Sequence, residues 1–199
     1  NRVYVLGYSA GGDGVYRLAP RMADRWAAAS MMAGHPGGVS MLNMRNTPFS
    51  IQVGGRDSAY KRNEVAKKYG DKLDTLQKAD PKGYVHFTKI YANCGHWMNR
   101  KDAIAIPWMA KFDRNPLPTR IVWRQDKNQP RFYWLATKGE VKGGAVVQAD
   151  LKAQSITLDP GDAQSLKIRL NDAMLDLDKP VTVTSGDKTL HKARLRRTI

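Results

Sequence analysis

Cysteine is nearly absent from this sequence. A single residue, Cys94, occurs in 199, so the chain can form no internal disulfide. Long apolar runs are missing too. Hydrophobic residues make up 42% of the chain, enough for a core, yet no run approaches the roughly 18 residues of a membrane-spanning helix. Acidic residues are scarce beside basic ones, 18 Asp and Glu against 33 Lys and Arg, for a net charge of +15. The excess is spread along the chain and is densest from Lys192 to Arg197. No basic stripe interleaved with aromatics marks a nucleic-acid module. No nucleic-acid partner is therefore expected, and the charge reads as that of a basic protein with at most an anionic partner or surface. The four histidines do not fall with Cys, Asp or Glu at metal-ligand spacing. Gly11-Gly12-Asp13-Gly14 lacks the Lys-Ser/Thr of a phosphate loop. No metal and no cofactor is expected. The chain shows neither repeats nor low-complexity tracts.

What is present begins at the first residue. Asn1 to Leu6 is an apolar, β-rich run that leads straight into Gly7-Tyr8-Ser9-Ala10-Gly11-Gly12, after which a helical pattern starts. Strand, Gly-x-Ser-x-Gly, helix is the context in which a serine sits on a sharp turn with its hydroxyl clear of the backbone. Such a turn forces strained dihedrals on the serine, and side chains at Gly7 and Gly11 are expected to collide with the neighbouring strand and helix. The helix start beyond it points N–H groups at any negative charge developing there.

Further along, Val15, Leu18, Ala19 and Met22 form an apolar helix face, which Pro20 is expected to kink or shorten. Trp26 to Met32 reads as a strand buried on both faces, and 33–47 as a loop. Phe49 to Val53 reads as a second buried strand closed by Gly54-Gly55-Arg56-Asp57. Val65, Tyr69, Leu73 and Leu76 predict a helix over 59–78. Tyr84 to Tyr91 alternates as a strand, Asn93-Cys94-Gly95-His96 follows as a loop, and 98–112 is predicted helical despite Pro107. This alternation gives a parallel sheet with helices on its faces. Residues 114–118 read as a linker. Beyond it, short β-rich runs at 120–124, 131–137, 145–150, 155–158, 166–170 and 181–184 are separated by turn signals such as Lys142-Gly143-Gly144. That spacing predicts a small antiparallel β-sandwich-like domain over 119–199.

A serine nucleophile needs a base and an orienting acid, and in an open parallel sheet such residues collect at the carboxyl ends of strands. Asp57 lies just past one strand end and His96 past the next, giving the order Ser9, Asp57, His96. With Gly7-Tyr8-Ser9-Ala10-Gly11-Gly12, Gly54-Gly55-Arg56-Asp57 and Gly95-His96-Trp97, residues 1–113 resemble the C-terminal half of an α/β-hydrolase. The esterase, dienelactone-hydrolase-like and polyester-depolymerase-like branch fits best. The resemblance implies Ser9 as nucleophile, His96 as general base and then acid, Asp57 as its orienting carboxylate, and the Ala10 N–H as one oxyanion-hole donor. Tyr8, Tyr60, Trp97 and His35 are candidates for the wall of a substrate pocket. Other readings stand beside these: Asp57 as a helix cap, Asp13 as a carboxylate suited to the helix dipole, Cys94 as apolar filler, and His86 and His191 as structural.

The implied substrate is a small-molecule or polymeric carboxylester. A peptidase of the prolyl-oligopeptidase type would use the same fold and order. The family's sheet has further strands before the turn, one of whose loops supplies the second oxyanion donor. The expectation is therefore that the chain is a piece of a longer polypeptide whose N-terminal half completes the sheet, and that alone it is a poor enzyme. A reading of another class makes the first part a scaffold and gives the β domain a polymer or protein to bind. Exposed rings at Trp123, Phe132, Tyr133 and Trp134 would favour that reading.

Overall fold

Two segments with almost no polar side chains, Ala-Ala-Ser-Met-Met and Phe-Ser-Ile-Gln-Val-Gly, form the centre of the first sheet. They can do so because a strand covered on both faces has no need of alternation. The computed structural model describes residues 1–139, 141, 143–163 and 165–197; Lys142, in the turn signal noted above, lies outside them. In chain order the first elements are β1 (Tyr4–Tyr8), α1 (Ala10–Arg21), β2 (Ala28–Met32), β3 (Phe49–Gly54), α2 (Arg62–Ala79), β4 (His86–Tyr91) and α3 (Ala105–Met109). The four strands lie side by side in the order β1-β2-β3-β4, every neighbouring pair parallel. Residues of β2 and β3 are all buried, and β1 is an edge strand. The two serines of the central strands answer each other: Ser50 Oγ lies 2.6 Å from Ser30 Oγ.

Helix α1 buries Gly12, Val15, Tyr16, Ala19 and Pro20. Leu18, expected on that face, is 42% exposed. Tyr16 takes the inner position instead, its ring 5.8 Å from that of Phe49 and 5.4 Å from that of Tyr69. Pro20 stands one residue from the helix end, where little helix remains to be broken. The predicted helix over 98–112 is replaced by a 3₁₀ turn, Lys101–Ile104, and the five-residue α3. Asn99 and Arg100 have φ of 54° and 60°, which no helix accommodates, and fully buried Met98 packs with Cys94, Met32 and Ala33.

The chain divides into two compact units, Asn1–Asn115 and Pro116–Ile199. The second contains β5 (Arg120–Arg124), β6 (Arg131–Phe132), β7 (Leu135–Ala136), β8 (Val146–Lys152), β9 (Ser155–Asp159), β10 (Lys167–Ile168), β11 (Val181–Ser185) and β12 (Lys188–Ala193). They form a five-stranded sheet, β12-β11-β9-β8-β5, and a three-stranded one, β10-β7-β6. The larger sheet is mixed, because β9 and β11 pair in parallel. The segment between them places β10 in the other sheet, and parallel neighbours need a connection of such length. The predicted single strand over 131–137 folds back on itself at Tyr133, whose φ is 52°. Strand β12, hidden in the sequence by its lysines, is an exposed edge, where lysine discourages further pairing. Trp123, Phe132 and Trp134 are buried. Trp123 stacks on Phe132 with ring centroids 6.0 Å apart, and the Trp134 indole N–H donates to the Pro118 carbonyl at 2.8 Å. A row of exposed rings is therefore not presented by these positions.

Candidate active site

Ser9 occupies the single step between β1 and α1 with φ 55° and ψ −120°, a combination L-residues rarely adopt and that costs on the order of 1–3 kcal/mol. Its surroundings enforce it. The Ser9 N–H donates to the Met32 carbonyl at 2.9 Å, and the Ser9 carbonyl accepts the Asp13 N–H at 3.0 Å. A Cβ on Gly7 would overlap the Gly11 carbonyl, and one on Gly12 would lie 2.5 Å from the Met32 oxygen. Around Gly11 there is open space. The steric demand at the helix side of the turn thus falls on Gly12, one residue later than the motif implied. Ala10 is the first residue of α1, so its N–H has no acceptor within the helix.

Asp57 and His96 come from the ends of β3 and β4, and their loops touch main chain to main chain. A Cβ on Gly54 would overlap the carbonyl oxygen of Gly95. The Gly55 N–H donates to Tyr91 at 2.8 Å and the Arg56 N–H to Cys94 at 2.9 Å. The side chains then meet in line: Asp57 Oδ2 is 2.7 Å from His96 Nδ1, and His96 Nε2 is 2.9 Å from Ser9 Oγ. The carboxylate is 2% exposed and the imidazole 43%, so Asp57 is sealed while His96 faces outward. Asp57 does not cap α2, which starts at Arg62 with Lys61 in the cap position. Its other oxygen lies 3.7 Å from the Arg62 guanidinium, a neighbour the sequence reading passed over.

The remaining candidates divide. Trp97 is 58% exposed and Tyr60 77%; Trp97 packs at 5.8 Å against Tyr8, and Arg62 lies over the Tyr60 ring at 4.8 Å. The Tyr8 hydroxyl is occupied within the protein, donating to the His96 carbonyl and accepting the Met98 N–H at 3.2 Å. His35 is tied into a turn, its Nδ1 accepting the Gly37 N–H at 3.2 Å while its own N–H donates to Asp13 at 2.6 Å. Cys94 is buried. The imidazole of His86 bridges the Tyr84 carbonyl and Asp74, and His191 lies in β12. Behind the His96 loop a buried set was not anticipated. Gln52 Nε2 donates to the Asp102 carbonyl at 3.1 Å, and the Tyr91 hydroxyl lies 2.8 Å from Gln52 Oε1 and 2.7 Å from the Lys101 carbonyl. Among the described residues no group of three or more His, Cys, Asp or Glu is arranged to hold a metal ion, and no helix is long and apolar enough to cross a membrane.

No protein-family model matches the chain, and no curated protein does. Among solved structures, the Arabidopsis thaliana protein SOBER1, in a single-substitution form, is similar at 18% identity and a TM-score of 0.40. The match covers 55% of this chain and 52% of that one. The chain spans about half the length of the structure it matches.

Proposed function

We propose that the protein is a serine hydrolase that cleaves carboxylesters through Ser9, His96 and Asp57. The observation that carries the reading is the unbroken line from a strained, half-buried serine hydroxyl through an outward-facing imidazole to a sealed carboxylate. In the reaction Ser9 Oγ attacks the ester carbonyl carbon and passes its proton to His96 Nε2. Asp57 accepts the Nδ1–H bond, fixes the tautomer and stabilises the imidazolium. Negative charge on the carbonyl oxygen is met by the Ala10 N–H at the start of α1. His96 returns its proton to the leaving alkoxide, and water, activated by the same imidazole, releases the acid from Ser9. A second oxyanion donor is assigned to a segment that covers the edge of β1, where Val3 and Leu6 are exposed. The exposed rings of Trp97 and Tyr60 suit a small or polymeric ester lying across the mouth of the site.

The test is labelling with a fluorophosphonate, which acts only on an activated serine, together with the intact mass of the purified protein. Label on Ser9, lost in Ser9→Ala and His96→Ala, is the expected result. A folded, full-length protein that takes no label overturns the reading. Parallel turnover of matched p-nitrophenyl ester and anilide substrates separates an esterase from a peptidase.

A further inference from the structure

We propose that Tyr8, the residue immediately before the serine, is a positioning residue that holds the His96 loop within reach of Ser9, rather than part of the substrate pocket. The inference rests on the catalytic reading of Ser9 and His96 and adds a fourth side chain to it.

The need for such a residue follows from where His96 sits. Strand β4 ends at Tyr91 and the next regular turn begins at Lys101, so residues 92–100 have no ladder of their own to fix the imidazole. On the Asp57 side the loop is tied by the main-chain bonds from Gly55 and Arg56. On the Ser9 side Tyr8 supplies the ties. Its one hydroxyl oxygen donates to the His96 carbonyl and accepts the Met98 N–H, so the backbone on both sides of Trp97 converges on a single atom. The Tyr8 ring meets the imidazole edge to face, with centroids 5.8 Å apart, and the Trp97 ring at the same distance.

The other end of the clasp is equally fixed. Tyr8 is the last residue of β1, in register with Met32, and the next residue's N–H donates to that same Met32. Serine and histidine stand 87 residues apart in the chain, yet one side chain ties the strand end that carries the first to the loop that carries the second. Desolvation pushes the Tyr8 phenol above its ordinary value, so it keeps its proton, and hence its donor, throughout the neutral range. Replacing it by Phe leaves the carbonyl of exposed His96 to water and the N–H of buried Met98 without this acceptor, a local cost confined to the loop. The fold then survives while the imidazole gains freedom, and small displacements of a catalytic group cost rate steeply.

The experiment compares the full-length wild-type protein with Tyr8→Phe and with Tyr69→Phe. The latter deletes a hydroxyl of the same kind, bonded to the Val39 carbonyl at 2.8 Å and outside the relay. The readouts are the rate of fluorophosphonate labelling at Ser9 and kcat and KM on p-nitrophenyl acetate, butyrate and octanoate. Tyr8→Phe is expected to slow labelling and kcat by ~10–100-fold, with KM unchanged for every ester and the loss constant across neutral pH. Tyr69→Phe is expected to label like wild type. A fluorinated tyrosine at position 8 keeps the shape and makes the hydroxyl more acidic. It is expected to label normally at neutral pH and to lose rate on the alkaline side, where wild type does not. This second variant carries the test if Tyr8→Phe fails to fold.

Labelling that is equal in wild type and Tyr8→Phe overturns the clasp and leaves the catalytic reading standing. So does a KM that rises with acyl length while labelling stays normal, which would return Tyr8 to the substrate pocket. A wild-type protein unlabelled at Ser9 overturns the catalytic reading and the clasp together.

Discussion

Adjacent glycines in the turn after Ser9 should respond to alanine with opposite signs. At Gly12 the new Cβ would lie 2.5 Å from the Met32 carbonyl oxygen and 3.0 Å from the Cα and N of Gly34. All three are main-chain atoms, and ordinary contact begins near 3.4 Å, so helix and strand end must part by close to an ångström. The Met32 carbonyl also accepts the Ser9 N–H, so the displacement reaches Ser9. Overpacking of this kind costs about 1–3 kcal/mol, which in a chain of this size lowers Tm by roughly 2–4 °C per kcal/mol. Gly11→Ala meets nothing within 4 Å, needs no unusual dihedral, and replaces a glycine inside α1, where alanine is favoured by up to ~1 kcal/mol. Thermal melts followed by circular dichroism should therefore show Gly12→Ala below wild type and Gly11→Ala at or above it. Fluorophosphonate labelling of Ser9 should fall in the first variant. Equal destabilisation by both, or tolerance at Gly12, would refute the steric account of the turn.

Two further outcomes follow from side-chain geometry. Asp57→Asn removes the negative charge from a 2%-exposed site and allows its amide to present a donor to His96 Nδ1; initial rates should fall by ~10³–10⁴-fold with little change in KM, and a loss below tenfold would rule out Asp57 as the orienting acid. Arg197 bridges Asp172 and Asp178, and hydrogen bonding to that guanidinium, with its charge, holds both carboxylates below the usual range. Because their folded pKa is depressed, the stability they contribute is present above about pH 3.9, the unfolded carboxylate value, and is lost as pH falls through the folded pKa. Side-chain carboxyl titrations by NMR should place Asp172 and Asp178 below the ordinary carboxylate range and move them back toward it in molar salt or in Arg197→Ala. Ordinary values for both in the wild-type protein at low salt would contradict it.

How much of this could be read from the sequence varied with the kind of force involved. The central strands were legible because Ala28–Met32 and Phe49–Gly54 carry their burial in composition, and α2 because Tyr69 and Leu73 keep helical spacing. Ser9, Asp57 and His96 could be marked as candidates because each follows a strand end, a position visible in one dimension. What escaped depends on atoms far apart in the chain. The exchange of Leu18 for Tyr16 was decided by where Phe49 and Tyr69 stand. The loss of the helix over 98–112 followed from left-handed Asn99 and Arg100, which no periodicity announces. The parallel pairing of β9 with β11 followed from the path of the chain between them. Tyr8 read as a ring near a site because its hydroxyl's two partners lie beyond residue 95.

The backbone contact between the loops of Asp57 and His96 has a consequence for how such a site can vary. With the Gly54 and Gly95 main chains against each other, no side-chain rotamer is interposed that substitution could lengthen, shorten or tilt. The spacing of carboxylate and imidazole behaves like the pitch of a cast part, common to every version of the chain that keeps Gly54, since a Cβ at Gly95 would stand in open space. Variation must then fall on what projects from the casting, the exposed faces of Tyr60 and Trp97, where, on the proposed hydrolase reading, a changed ring would alter what is admitted and leave that spacing alone.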